Sequence, residues 1–503
     1  MARRGLSSLM GLLLASGLMT MGLLVGCSPN SPNTGSRDMK PQWGQPDELF
    51  SALNPTDRAL QKISVVGSDG LPLTGAEILI GSDVNDPFVG NLLTTDALGA
   101  TALPAGWTSA QPVTIDAPGY VRVTFLNLTP QGFSHKMKRV EFAPTHKLKG
   151  HTLNHVMRDF DGKADFGLIF KALSKEDLFN LQLSSVISPE TDKISIAGFD
   201  VEMPSNLTLP RQKERYILIP ITLDKPEFRF YFDQPGNYLL MGAKGRFPFT
   251  EVVNQMQSGK EMHKLINKFE FMGGSVKSVN VSGPETTFDF DVAEINFTQT
   301  DTVKFPAPGT GRSILGGRLM EWSPNQFLPT DIKLIEAAGD VSLHRGPNRP
   351  HHLVGVLKNS NEFEEQNPGV DRLSASLVDD TTTPDFKFLS LLDNPIATDL
   401  QSVKMPNVTI PFTPAELIVY ASVGKVIETE TEANVVVKTY LKSWEVYSTE
   451  MISEIKLPRW KPLTKEGLSR WEAMYAVSRE ASLTTSHRSL DNMTHVTRSS
   501  VDF

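Results

Sequence analysis

The stretch GLPLTGAEILIG, residues 70 to 81, decides how the rest of the chain is read. Gly70-Leu71-Pro72 is a turn, in which glycine supplies a positive φ and proline presets its own. Ala76 to Ile80 is a strand of mostly aliphatic residues, bounded by Gly75 and Gly81. Upstream, Ile63 and Val65 flank Ser64, so the unit reads strand, turn, strand. The same grammar continues in TTDALGATALPAG, residues 94 to 106, and in PVTIDAPGYVRV, residues 112 to 123. Asp96 and Gly99 suit a tight turn that needs a side-chain cap and a positive φ. Gly119 after Pro118 turns the chain into a further strand, Val121 to Phe125.

These segments, within residues 61–148, resemble the carboxypeptidase regulatory-like domain. The resemblance implies a small transthyretin-like β-sandwich that serves as a structural or binding module and contributes no catalytic residue.

Working outward, residues 149–308 are again rich in strands: Arg215 to Ile221, Glu227 to Phe232 and Asn237 to Met241. Phe288, Phe290 and Val292 alternate with polar residues, as a half-buried strand requires. One segment has a different period. Ser258 and Glu261 form a capping box, and Met262, Leu265, Ile266 and Phe269 recur at helical spacing. This predicts an amphipathic helix over 259–270, packed on a sheet and ended by Gly273-Gly274, with Asn267 on its polar side. Pro306 to Gly317 reads as a linker. Residues 309–503 return to strands, including Leu353 to Leu357, Leu373 to Val378, Leu417 to Ser422 and Val435 to Tyr447. Arg470 to Ser478 fits a strand by alternation and a helix face by Leu468, Trp471 and Tyr475, and its neighbours favour strand.

The string VEMPSNLTLP at 201–210 recurs as VKMPNVTIP at 403–411 with one residue deleted. It suggests that 309–503 is a second β-domain related to the one before it. The expected fold class is therefore mainly β: multidomain β-sandwiches with one amphipathic helix packed on a sheet.

The N-terminus fixes a compartment. Arg3 and Arg4 precede an apolar run from Leu6 to Leu24, and Leu24-Val25-Gly26-Cys27 follows. A charged start, an apolar core and small residues at the cut make a secretory signal over residues 1–26. The last four residues resemble the lipobox of bacterial lipoproteins. That resemblance implies cleavage between Gly26 and Cys27, diacylation of Cys27 and anchoring in outer-membrane lipid. Ser28, in place of the Asp that favours inner-membrane retention, points the same way. Residues 27–60, with Pro29, Pro32, Pro41, Pro46 and Pro55, read as a flexible tether. No second apolar run approaches the roughly 20 residues a membrane helix needs.

The chain has 503 residues, more than one core usually serves, so several folding units are expected. It carries 49 basic and 57 acidic residues, and an acidic balance gives no support for nucleic-acid binding. Cys27 is the single cysteine, so no disulfide within the chain and no nucleophilic thiol are expected.

Candidate chemistry is sparse. Asp159, Asp161 and Asp165 around Gly162 look like part of a calcium loop, without its remaining acidic ligands. An Asp-Gly hairpin turn explains them more simply. His146, His151 and His155 precede them, but in a strand residues four apart stand about 13 Å apart and cannot share an ion. His351 and His352 after Pro350 are candidate ligands or bases, or a solvated pair. No nucleophile motif with its partners is present, so no catalytic residue is assigned and no cofactor is expected. Trp43, Trp107, Trp322, Trp444 and Trp460 are candidates for stacking on sugar rings, although tryptophan serves cores more often. The expectation is a non-enzymatic binding or structural protein of the outer envelope, with a glycan or protein ligand. The alternative is a polysaccharide- or cell-wall-acting hydrolase using a carboxylate pair.

Overall fold

The computed structural model describes residues 62–140, 145–153, 163–175, 178, 191–196, 199–204, 207–209, 214–219, 227–232, 234–248, 251, 262–363, 372–430, 436–463, 469–479 and 493–502. Aliphatic and aromatic residues at alternate positions leave each strand one face to bury, and pairing satisfies the backbone between the faces. The chain is accordingly built of strands joined into sheets.

The largest sheet has twelve strands. Its order is Gln326–Ile335, Arg312–Ser323, His351–Asn359, Leu373–Asp379, His495–Asp502, Arg470–Ser478, Glu416–Glu430, Val436–Ser448, Arg122–Leu128, Gln111–Asp116, Glu77–Ile80 and Leu92–Thr94. One pairing is parallel, Trp444–Tyr447 against Arg122–Phe125, and every other neighbouring pair is antiparallel. The last four strands of this order face a three-stranded sheet of Ala100–Ala102, Lys62–Val66 and Phe133–Lys136 across a core that includes Ile63, Val65, Ile78, Ile115 and Phe133. Residues 62–136 thus form a β-sandwich whose larger sheet continues into the C-terminal half of the chain.

Residues 146–296 build three further sheets among the described residues, the smallest being the pair Thr191–Ile196 and Phe199–Pro204. Six strands run Leu207–Leu209, Glu214–Ile219, Ala164–Lys171, Gly236–Phe247, Glu270–Val281 and Ile295–Asn296. Around His146–Leu153 lie Glu227–Phe232, Glu285–Thr287 and Phe290–Asp291. Phe228, Phe230, Phe232, Tyr238 and Leu240 are buried in their shared core.

The C-terminal sheet has two unlike faces. Val419, Ala421, Val423, Trp444, Val446, Trp471, Ala473 and Tyr475 lie on one, packed with Val403, Ile455 and Leu457 of a small covering sheet. Further along, Leu353 and Leu357 pack with Val303, Phe305 and Leu343 of the hairpin Gln299–Phe305/Gly339–Arg345.

The expected helix over 259–270 is not formed. Met262–Lys268 is a single 3-10 segment, and Gly273 and Gly274 lie inside the strand Glu270–Val281 rather than ending a helix. The periodicity still picked the buried positions, since Leu265, Ile266 and Phe269 are in the core. The strand beginning at Glu270, paired with Gly236–Phe247, claims the residues a longer helix would have used. Asn267 is not idle on a polar side either. Its Nδ2 donates to Leu334 O at 2.9 Å and its Oδ1 accepts from Leu334 N at 2.6 Å. The expected linker is likewise only Pro306 to Gly311, because Gly316 and Gly317 sit within Arg312–Ser323. Arg470–Ser478 is a strand, as its alternation and neighbours indicated.

The two related strings are paired differently. Phe199–Pro204 forms a two-stranded hairpin with Thr191–Ile196, whereas Ser402–Lys404 is the middle strand between Ile396–Asp399 and Glu454–Lys456. Asn407 is exposed outside any strand, and Asn206 lies outside the described residues.

The parallel junction is reinforced on both sides. Trp444, fully buried, donates through Nε1 to Thr124 Oγ1 at 2.9 Å, and Arg122 lies 4.5 Å over its ring. On the opposite face Phe125 stacks on Tyr447 at 5.8 Å. At the rim, Asp116 accepts from Lys461 Nζ at 2.9 Å and pairs with Arg122 Nε at 3.2 Å, while Lys461 also binds Glu77. Burial alone would raise the Asp116 pKa, but Lys461 and Arg122 outweigh it and hold it below the ordinary carboxylate value.

Two outcomes follow from these contacts. Asn267→Asp removes the donor to Leu334 O and sets a carboxylate beside that carbonyl, which should cost about 0.5 to 1.5 kcal/mol in urea unfolding, since the side chain is exposed. Because the folded Asp116 pKa is depressed, its contribution is present above about pH 4 and is lost as the pH falls through the folded value. Asp116→Asn should therefore melt below wild type at pH 6, with the gap closing on acidification.

Candidate functional site

The residues singled out in the sequence do not converge. Cys27, Gly26, Asp159, Asp161 and His155 lie outside the described residues. Asp165 sits opposite Arg246 in paired strands, and its Oδ1 accepts from Arg246 Nε at 3.1 Å. His151 bonds to Asp289, through its backbone N at 2.9 Å and Nδ1 at 3.3 Å.

His351 and His352 are neighbours in one strand and therefore point to opposite faces. His351 is buried, with Nδ1 2.7 Å from Arg349 O and Nε2 accepting from Gly346 N at 3.2 Å. A carbonyl at one nitrogen and an amide donor at the other select the neutral Nδ1–H form. Burial, aided by Arg345 and Arg318, keeps the His351 pKa below the ordinary imidazole value. Its ring clamps the Gly346–Arg349 turn. His352 faces Glu321 Oε2 at 3.1 Å and meets Phe327 edge-on at 5.4 Å. Among the described residues no three His, Cys, Asp or Glu side chains gather in a way that could hold a metal ion. The expected stacking platforms are largely core: Trp107, Trp444 and Trp460 are buried, and Arg349 covers Trp322 at 4.1 Å.

The densest polar chemistry lies elsewhere, on the other face of the C-terminal sheet. Tyr420 and Ser422 of Glu416–Glu430, Tyr440, Lys442, Glu445 and Tyr447 of Val436–Ser448, and Glu472 of Arg470–Ser478 form one connected island. Lys442 Nζ donates to Tyr420 OH at 2.5 Å and lies 3.1 Å from Glu472 and 3.9 Å from Glu445. Tyr420 OH donates to Glu445 Oε1 at 2.9 Å, and Tyr447 OH to Glu445 Oε2 at 2.8 Å. Ser422 Oγ donates to Glu472 Oε2 at 3.2 Å.

A β-bulge makes this possible. Val423 pairs with Trp444 and Gly424 with Lys442, leaving Ser443 as an extra residue. Lys442 and Glu445, three apart, would face opposite ways in a regular strand, and the extra residue turns both to one face. Gly424 is required at this point, because a Cβ there would come within 2.1 Å of Leu441 O.

The electrostatics are those of compensated charge. Burial by itself would raise the Glu472 pKa, but Lys442, Arg498 and Arg470 outweigh it and hold it below the ordinary value. Burial and the nearby Glu472 push Tyr440 well up, so it stays a neutral phenol. Alternating polarity flagged none of these residues, since tyrosines, a lysine and glutamates in strands read as an outward face.

No family model matches the chain, and no curated protein matches it. Among solved structures it is similar to the native conformation of the Escherichia coli alpha-2-macroglobulin, at 10% identity over 86% of this chain and a TM-score of 0.14. The match spans 27% of that protein's length. So slight a likeness carries no argument about fold or activity.

Lys442→Met withdraws the ammonium shared by two carboxylates, and breaking a buried pair from one side costs about 3 kcal/mol or more. The double variant Lys442→Met/Glu472→Gln should recover part of that loss, a non-additivity that urea midpoints of the single and double variants measure.

Proposed function

We propose that the chain is a lipid-anchored protein of the bacterial outer envelope with a non-enzymatic binding or structural role toward a glycan or protein ligand. Leu24-Val25-Gly26-Cys27, after an apolar run, supports the anchor. The turn pattern of residues 61–148 supports a carboxypeptidase regulatory-like module, and seven strands in two sheets suit such a module.

One observation carries the non-enzymatic side: Glu445 and Glu472, the carboxylates of the polar island that approach Lys442, are spent on internal partners. Glu445 has a tyrosine hydroxyl on each oxygen, and Glu472 is held ionised by surrounding cations. Glycoside hydrolysis needs one carboxyl kept protonated as the acid. A carboxylate pushed the other way suits a rigid scaffold. The remaining charges around the Asp116 junction likewise tie one unit to another.

Cys27→Ser tests the anchor. Acyl chains contribute about 0.8 kcal/mol of membrane affinity per buried CH₂, so without them the protein should leave the membrane fraction for the soluble one. A variant that still sediments with membranes overturns the lipid-anchored reading. Purified protein assayed for release of soluble sugar from polysaccharide and peptidoglycan should show none, and turnover abolished by Glu472→Gln would favour the hydrolase.

A further inference from the structure

The connections of the N-terminal β-sandwich sort its loops to two ends. Lys62–Val66 runs parallel to Phe133–Lys136 and antiparallel to Ala100–Ala102. In the larger sheet Ile80 pairs with Val113, and Gln111 pairs with Leu128. Lys62, the loops 81–91 and 103–110 and the turn 129–132 therefore share one end, while the turns 67–75, 95–99 and 117–121 share the other. The segment after Ser448 reaches the first end, where Asn127 Nδ2 donates to Glu450 Oε2 at 2.8 Å.

Loop 81–91 is held from within. Asn91 is fully buried, and its Nδ2 lies 2.8 Å from the carbonyl oxygens of Ile80, Asp83 and Asp86. Its Oδ1 accepts from Asn85 N at 2.7 Å, and Asn85 Oδ1 accepts from Gly90 N at 3.2 Å. Asp83 Oδ1 is taken by Val84 N at 2.8 Å. Phe88 packs on Gly106, where a Cβ would come within 2.6 Å of its ring, and this ties the loop to 103–110. A loop whose polar groups are bonded internally enters a less polar medium at lower cost.

What this frame holds out is apolar. Val89 is 86% exposed, Val84 and Met451 are exposed at the same end, and neither 103–110 nor 129–132 contains a charged residue. Apolar side chains kept in water by a fixed loop gain free energy from any surface that covers them. Leu71 and Leu98 are also exposed, at the opposite end, so exposure alone does not choose between the two ends. The position of Lys62 does. The chain enters the sandwich at the Val89 end, coming from Cys27, and residues 28–61 as a polar coil span about 30 Å.

We propose that loop 81–91, with Val84 and Val89 foremost and Met451 at the same end, rests in the interfacial layer of the bilayer that holds Cys27. The valines reach the boundary of the acyl chains, as apolar side chains do at membrane interfaces. Asp83 and Asp86 then stand at headgroup level, which favours the amine of a zwitterionic lipid over an anionic surface. Resting on the lipid-anchored reading, this contact fixes which end of the body faces the membrane.

The test adds the acylated full chain from dilute detergent to preformed vesicles of phosphatidylethanolamine and phosphatidylcholine. Val89→Cys or Leu98→Cys carries a nitrobenzoxadiazole label, and acylation of Cys27 leaves the new thiol as the one that reacts. Nitroxide on the lipid headgroup should quench the Val89→Cys label about twofold or more beyond the Leu98→Cys label, and iodide in the water should quench it about twofold less. Val84→Asp added to Val89→Cys should cut the nitroxide quenching by about half or more. Equal quenching at the two positions, stronger nitroxide quenching at Leu98→Cys, or no effect of Val84→Asp would each overturn the contact. So would a Val89→Cys label shielded from iodide but untouched by nitroxide, because a protein would then cover the loop. A chain that does not float with the vesicles overturns the anchor and the contact together, whereas one that floats with its Val89→Cys label open to iodide overturns the contact alone.

Discussion

Four residues pairing with four others hold the two ends of the chain together. Trp444 to Tyr447 run parallel to Arg122 to Phe125, and through them the sheet begun by residues 77–128 continues into strands from residues 312–502. Without this pairing each half would present a free edge with unsatisfied amides and carbonyls, the usual point of attack for aggregation. The pairing is also sealed on both faces, by Trp444 with Arg122 on one and by Phe125 with Tyr447 on the other. Burying aromatic area on both sides shields the backbone hydrogen bonds between them, so side chains and ladder reinforce each other.

The charges of the molecule follow from that continuity. A sheet this wide cannot be apolar on both faces without a cover for each. One face of the C-terminal strands is covered by the small sheet around Ser402–Lys404 and carries aliphatic and aromatic residues. The other carries the Lys442, Glu445 and Glu472 island, in which each charge is balanced within a few ångströms. Compensation of this kind contributes little net stability compared with apolar packing, but breaking it from one side is costly, so it enforces one register. The bulge at Ser443 belongs to the same logic. It sacrifices one rung of the ladder to bring lysine and glutamate to one face.

The irregular segment of residues 380–395, over Ser374, Ser376, Thr497 and Ser499, is the complementary case. Small hydroxyl residues in strand interiors, rather than aliphatic ones, are what a sheet needs where a chain without its own hydrogen bonds lies across it. Two of these hydroxyls meet carbonyls of that segment, while those of Ser374 and Ser376 are buried without a partner.

The division between sequence and tertiary structure has a physical basis. Local pattern was enough for the strands: alternation around Phe288 to Val292, turn residues at Gly70, Asp96, Gly99 and Gly119, and the ambiguous Arg470–Ser478 all resolve at short range. Positive φ at those glycines follows from the turns that require them. It was also enough for the buried face of Leu265, Ile266 and Phe269, though not for the helix expected there. A strand partner for Glu270–Val281 decided that, and a partner is not a local property. The same holds for the candidate sites. His351 and His352 stand out as a pair in the chain, yet the strand sends them to opposite faces, each with its own clamp. Lys442 and Glu445 look like surface residues until a bulge and a neighbouring strand turn them inward. Trp444 and Thr124, 320 residues apart, give no sign in sequence that one donates to the other. The sequence by itself determined which segments are strands and where they turn, because period and turn chemistry act over a few residues. Which strand lies beside which, and so which polar groups meet, was decided only by the tertiary structure, because backbone pairing carries no side-chain label and its partners are distant along the chain.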